Sequence, residues 1–373
     1  ESFTLTANDE SGGSGGDLPS ANANALTADI VATLIAFATP PSDGSAANGD
    51  VVSGQTFATQ PILEARNASG QRDLNFTGSV TLSLPPGNPT LSGTVSETWI
   101  SGRADFAGNG LRVTATSDAT PFALSASSGS ISGQSTSRIA DVVATQIVFL
   151  TQPSDAGAAN GDVISGRAFA TQPILEARDD NNVADLHYAG PAPTISLQTG
   201  SVALSGTTSQ TWNSGRATFT DLAVGATGEG QSFALAANNG NLPQITSTTL
   251  SADIVATQLV FATPPAHAGV SSGDVLSGVV FQTQPIVQAQ DASGLLDAHF
   301  TDQVTLTTTA AGALSGATAV QAVSGAATFS GLAYTASADQ ESFTLVANDE
   351  IAGSGGDLPS ANSNALIADI VAT

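Results

Sequence analysis

Cysteine, methionine and lysine are all missing from this 373-residue chain, and each absence closes off a class of solution. Without cysteine no disulfide can staple the fold. Without lysine no Lys–Asn isopeptide crosslink can brace it, since all eight basic residues are arginine: Arg66, Arg72, Arg103, Arg112, Arg138, Arg167, Arg178 and Arg216. Stability has to come from packing, from backbone pairing or from bound ions. Histidine is scarce as well, with three residues, too few for a zinc site built from three or four N or S ligands. No apolar run approaches the roughly 20 residues needed to cross a bilayer, so no membrane insertion is expected in this segment. Neither a signal peptide nor an initiator methionine is visible, so the chain reads as a window cut from a longer one.

Positive charge is the other scarcity. Eight basic residues face 32 acidic ones, for a net charge of −24. Nucleic acid and anionic membrane surfaces would be repelled, which leaves cations as the natural partners. The segment from Gln258 to Thr373 is the extreme case, with ten acidic residues and no Lys or Arg. Such a surface suits salt-rich or calcium-containing surroundings, where screening lowers self-repulsion.

What is present is repetition. The hexapeptide ADIVAT, or ADVVAT, begins at Ala28, Ala140, Ala252 and Ala368, so the first three copies lie 112 residues apart and the last 116 further on. Units of this length can bury one core each and fold alone, unlike solenoid repeats that need neighbours. Residues Glu1–Thr33 reappear at Glu341–Thr373 with five changes, a closer match than any between adjacent repeats. This implies a block of three repeats copied as one and a very long parent chain. We therefore divide the chain into the last two strands of one module (1–33) and three modules (34–145, 146–257 and 258–373).

Within each module the recurring segments alternate apolar and polar residues with the period of half-buried strands. IAF, IVF or LVF (from Ile35, Ile147 and Leu259) is followed by PILEAR or PIVQAQ (from Pro61, Pro173 and Pro285), with proline at the strand start where its missing amide is tolerated. VTLSL, TISL and VTLTT come next (from Val80, Thr194 and Val304); the tripeptide PAP at Pro191–Pro193 predicts a late start for this strand in the second repeat. Short LSG segments, then RADF, RATF or AATF after a Ser-Gly turn, then FAL or FTL at Phe122, Phe233 and Phe343, and finally ADIV complete about seven strands. With Gly, Ser, Asn and Asp between them, they predict an all-β fold: tandem immunoglobulin-like Greek-key β-sandwiches. The passage from one repeat to the next, as in Ala252–Pro265 (ADIVATQLVFATPP), contains no flexible linker chemistry. Modules should therefore join end to end as a stiff rod. The first 33 residues hold only two strands, which cannot hide an apolar face alone; they are either cut from a longer chain or complemented by another copy.

The order LVFATPP, SGVVFQTQPIVQAQDASG, VTLTT, ALSGATAVQAVSGAATFSGLAYT and ESFTLVAND resembles the bacterial immunoglobulin-like (Big-type) tandem repeats of large cell-surface and secreted proteins. The resemblance implies that fold and an extracellular, bacterial cell-surface setting. It implies no activity, because its markers are core and turn residues.

Candidate chemistry is concentrated at the junctions. Asp29, Asp141, Asp253 and Asp369 occupy one place in the repeated motif. The final strand should exit beside two acidic loops of the following module, which in the third repeat hold Asp291 and Asp297, and Asp349, Glu350 and Asp357. Calcium takes six to eight hard oxygens, so Asp253, Asp291, Asp297, Asp349 and Glu350 are candidate ligands for an interdomain Ca2+; solvated turn and cap residues are the plainer alternative. GGSGGD at Gly12–Asp17 fits the opening of a calcium nonapeptide but stands once, as a flexible loop would. His187 and His299 occupy equivalent places, where the first repeat has Asn75, and are expected on loops or rims, as is His267. Trp99 and Trp212 are equivalent aromatic contacts, facing either the core or a sugar ring. No nucleophile–base pair or phosphate-cradling loop stands out, so an enzyme is not expected and no cofactor is implied with certainty. The leading expectation is a structural segment of a fibre, surface filament or adhesin stalk whose partners are neighbouring modules and other copies. Carbohydrate- or receptor-binding modules, and passive spacers of a larger secreted enzyme, are the alternatives.

Overall fold

The computed structural model describes residues 2–8, 18–87, 89–158, 161–267, 274–349 and 357–371. Among them every regular element is a β-strand. The third repeat shows the plan. Gln258–Thr263 pairs antiparallel with Ile286–Gln290, which pairs in turn with Ala326–Thr328. The facing sheet runs Ala319–Gln321, Gln303–Thr308, Leu345–Asp349 and Ala361–Asn362, all antiparallel. The last strand, Leu366–Asp369, lies antiparallel to Glu341–Phe343 and parallel to the short Val275–Leu276. Early strands thus serve both sheets, and the chain is a tandem series of immunoglobulin-like sandwiches joined without linkers.

Alternation places the core. In Ser79–Ser83 the side chains of Val80 and Leu82 are buried while Ser79, Thr81 and Ser83 are exposed, as a half-buried strand requires. The late start in the second repeat is observed: its strand is Thr194–Thr199, three residues behind the place of Ser79 in the first. The two-residue strands Val51–Val52, Val163–Ile164 and Val275–Leu276 escaped sequence reading, because two residues show no period. Their parallel pairing with the ADIV strand defines them.

The chain forms two compact units. One comprises Glu1–Gln146 with Ala177–Ala189 and Asn213–Gly215. Its described residues form a core around Leu63, Leu82, Phe106, Leu111 and Leu124. Trp99 belongs to that core at 5% exposure, edge-on to Phe76 with ring centres 5.4 Å apart, and its indole donates to Ser128 Oγ at 3.0 Å. The other unit comprises Ile147–Glu176, Gly190–Trp212 and Arg216–Thr373 and holds two cores, one around Phe219 and Phe233 and one around Phe281, Phe329 and Phe343. There Tyr334 stacks on Phe343 at 3.8 Å. Trp212 is half-buried against the first of these cores and donates to the Pro191 carbonyl at 2.8 Å.

The first two-stranded segments carry an open apolar face. Phe3, Leu5, Leu18 and Leu26 are 44, 59, 64 and 42% exposed, whereas their counterparts Phe343, Leu345, Leu358 and Leu366 are 2, 0, 5 and 4% exposed. Nearly the same sequence has two burial states because the later copy packs against the earlier strands of its own repeat, from Gln258–Thr263 to Ala333–Thr335.

Candidate functional site

The most regular chemistry in the chain is a set of carboxylates that accept backbone amides where one repeat passes into the next. Asp73, Asp185 and Asp297 follow the PILEAR or PIVQAQ strand, and each is at most 8% exposed. Their Oδ2 atoms accept the amides of Ala32, Ala144 and Ala256 at 3.0 Å, in the final residues of the ADIVAT motif. Their Oδ1 atoms accept the amides of Asn75, His187 and His299, two residues on, at 3.0, 3.0 and 2.9 Å. One side chain therefore joins the entering segment to the turn it passes.

That turn is itself held by glycine. Gly102, Gly215 and Gly325 adopt φ of 68°, 73° and 79°. A Cβ on any of them would collide with the carbonyl oxygen of Asp73, Asp185 or Asp297. The Ser-Gly turn so visible in the sequence is the floor on which the junction aspartate rests.

A second acid approaches from the preceding repeat. Asp118, Glu229 and Asp339 stand four residues before Phe122, Phe233 and Phe343. Asp118 Oδ1 accepts the Val142 amide at 2.8 Å, the oxygens of Glu229 accept Ile254 at 3.2 and 3.3 Å, and Asp339 Oδ1 accepts Ile370 at 2.9 Å. The amides of Thr33, Thr145 and Thr257 go to the carbonyls of Arg66, Arg178 and Gln290, each at 2.8 Å. In the Asp253–Gln258 passage the amides of 254, 256 and 257 are thus all engaged, which supplies a physical reason for the missing linker chemistry.

Histidine enters this arrangement twice. His187 Nδ1 lies 2.7 Å from Asp118 Oδ2, which holds the imidazole pKa above its usual 6.5 through that hydrogen bond and charge. His299 Nδ1 lies 3.6 Å from Glu229 Oε1. Glu229, Asp253 and His299 each place one ligand atom within 4.8 Å of the others, the group of metal-ligating type found among the described residues. Burial pushes the Glu229 carboxyl above its ordinary range, opposed by the Ile254 amide and reinforced by the Asp253 charge. In the other unit burial likewise raises Asp185.

The residues singled out as calcium ligands are distributed differently. Asp291 Oδ1 accepts the amides of Ser293 and Leu295 at 2.9 and 2.8 Å, closing its own turn. Asp297 engages backbone amides with both oxygens. Asp349 is fully buried and accepts Leu358 N through both oxygens at 3.1 and 3.3 Å, and burial raises its pKa. Glu350, like Gly12–Asp17, lies outside the described residues. Among the described residues, Asp253 is grouped with Glu229 and His299 rather than with Asp291, Asp297 or Asp349. Sequence reasoning passed over Asp118, Glu229 and Asp339; their constant offset from the Phe-Ala-Leu or Phe-Thr-Leu strand was the available signal. For the two aromatic candidates, burial and the Ser128 bond place Trp99 in the core, and Trp212 is half-buried.

No protein-family model matches the chain, and no curated protein matches it in sequence. Among solved structures it is similar to invasin, titled a bacterial integrin-binding protein, with 12% identity, a TM-score of 0.31 and coverage of 80% of this chain and 55% of that one. It is also similar to Drosophila N-cadherin EC1-4 (11% identity, TM-score 0.33, coverage 100% and 83%) and to surface layer protein SbsC, domains 4-9 (13%, 0.22, 94% and 52%). The chain thus spans about half the length of the invasin and surface-layer structures. Likeness at these identities and scores says nothing of activity.

Proposed function

We propose that the chain is a non-enzymatic structural segment of a long extracellular repeat protein, a fibre, surface filament or adhesin stalk whose modules are joined stiffly. The observation that carries this reading is the recurrence of one junction device three times: Asp73, Asp185 and Asp297 each take an amide of the incoming segment and an amide of their own turn. A tether between independent beads needs no such bonds, whereas a stiff array needs one at every passage. The composition supports an exposed, salt-rich setting. With no cysteine or methionine the chain is inert to thiol exchange and sulfur oxidation, and a charge of −24 keeps copies soluble until cations or specific contacts bring them together.

Small-angle scattering from the chain in solution tests the reading. A maximum dimension that grows by a constant step per added repeat, with the cross-section of one sandwich, supports it. Distributions typical of freely jointed domains would reduce the array to a tether.

A further inference from the structure

We propose that Glu229, Asp253 and His299 form a binding site for one divalent transition-metal ion of the zinc type. The three residues come from separate places. Glu229 precedes the Gln231–Asn238 strand, Asp253 ends the Leu250–Asp253 strand, and His299 sits in the turn that Asp297 closes. Their ligand atoms lie within 4.8 Å of one another, inside one compact unit.

Between His299 and Glu229 the spacing fits an ion better than it fits a direct bond. At 3.6 Å the His299 Nδ1 and Glu229 Oε1 atoms are too far apart for a hydrogen bond. Two ligands at zinc distances on a tetrahedral ion stand about 3.4 Å apart. The donor set, one imidazole nitrogen and two carboxylates, suits borderline metals; calcium prefers an all-oxygen shell of six to eight ligands. Asp253 is 1% exposed and the Glu229 side chain 13%, so both carboxylates are held by packing, while the 45% exposed His299 leaves an open side for water to complete the coordination.

The repeats themselves supply the control. Where the second repeat has Glu229 the first has Asp118, one methylene shorter, and there the imidazole of His187 closes directly on the carboxylate at 2.7 Å. Asp118 already accepts the amides of Val142 and Leu186. In the first repeat the histidine position is Asn75, which bonds Asp29 at 3.2 Å. The longer acid combined with a histidine three ångströms and more away occurs at Glu229 and His299.

The inference is independent of whether the array is stiff. It is tested by titrating zinc chloride into the untagged, chelator-stripped full chain by calorimetry, with a thermal melt in parallel. One equivalent should bind and raise the melting temperature. His299→Asn, which installs the side chain that the first repeat carries at Asn75, should keep the metal-free melt and lower zinc affinity at least tenfold; His187→Asn should retain wild-type binding. Cobalt(II) bound in place of zinc should give visible absorption that His299→Asn removes. Absence of zinc heat, zinc binding undiminished in His299→Asn, or stabilisation by calcium alone would each overturn the assignment.

Discussion

The imidazole Nδ1 of His187 lies 2.7 Å from Oδ2 of Asp118, although 69 residues separate them in the chain. The same aspartate accepts the amide of Val142, so a side chain of the first repeat grips both the outgoing strand and a loop residue of the second. Asp185, two residues before His187, takes the next bonded amide at Ala144. Two carboxylates, one of them also bonded to a histidine, thus hold the Val142 and Ala144 amides of the passage in which any slack would have to reside.

Loss of a junction aspartate should cost more than an ordinary surface change. Asp297→Ala leaves the buried Ala256 amide without its acceptor and opens the turn at His299 and Phe300. We expect a loss of about 1–3 kcal/mol in chemical denaturation, with hydrogen exchange at Ala256 accelerated more than in the distant strands. A change within about 0.5 kcal/mol would mean that Asp297 is a solvated turn residue.

The two tryptophans should separate cleanly. Trp99→Ala removes a core ring and the Ser128 partner, for an expected loss of about 3–5 kcal/mol. Trp212→Ala should cost less than half of that, because the side chain is only half-buried. Acrylamide quenching of the single-tryptophan proteins Trp99→Phe and Trp212→Phe checks the same point: Trp212 should quench the more readily.

Gly215→Ala should be far worse than a glycine-to-alanine change in an open loop. A φ of 73° disfavours any L side chain, and the added methyl meets the Asp185 carbonyl. The expected cost is about 2 kcal/mol or more. Gly70→Ala, with φ of 80° but open space around it, is the control for backbone strain alone.

Stability should rise on mild acidification. Burial holds the pKa values of Asp185, Glu229 and Asp349 above the ordinary 3.8 and 4.5, and the Asp118 carboxylate holds that of His187 above 6.5. A group whose folded pKa is raised favours the folded state when protonated, so its contribution is complete below the unfolded value and is lost as pH rises through the folded one. Glu64, hydrogen-bonded by Arg66, and Glu97, Asp221 and Glu341, which accept backbone amides, are shifted down and act the opposite way, losing their contribution as pH falls beneath the ordinary carboxylate range. The melting temperature at constant ionic strength should therefore climb from about pH 8 to about pH 5 and fall below about pH 4. A steady decline from pH 8 to pH 5 would contradict it.

The sequence by itself determined the repeat, the strands long enough to show alternation and the seamless passage between repeats, because period-2 burial and missing Gly, Ser and Pro are local properties. Even the late third strand was visible, in Pro191 and Pro193. Local pattern could not reveal Val275–Leu276, which is a strand only by its parallel partner Leu366–Asp369. Nor could it fix what the acids do. Asp297 and Glu229 are both acids beside turns in the sequence, but tertiary structure gives Asp297 two backbone amides and sets Glu229 beside Asp253 and His299. A carboxylate's role depends on which donors the fold brings within about 3 Å, and those donors come from strands and turns many residues away. The exposed Phe3 and the buried Phe343, in nearly identical sequence, make the same point: burial belongs to the partner strands, not to the segment.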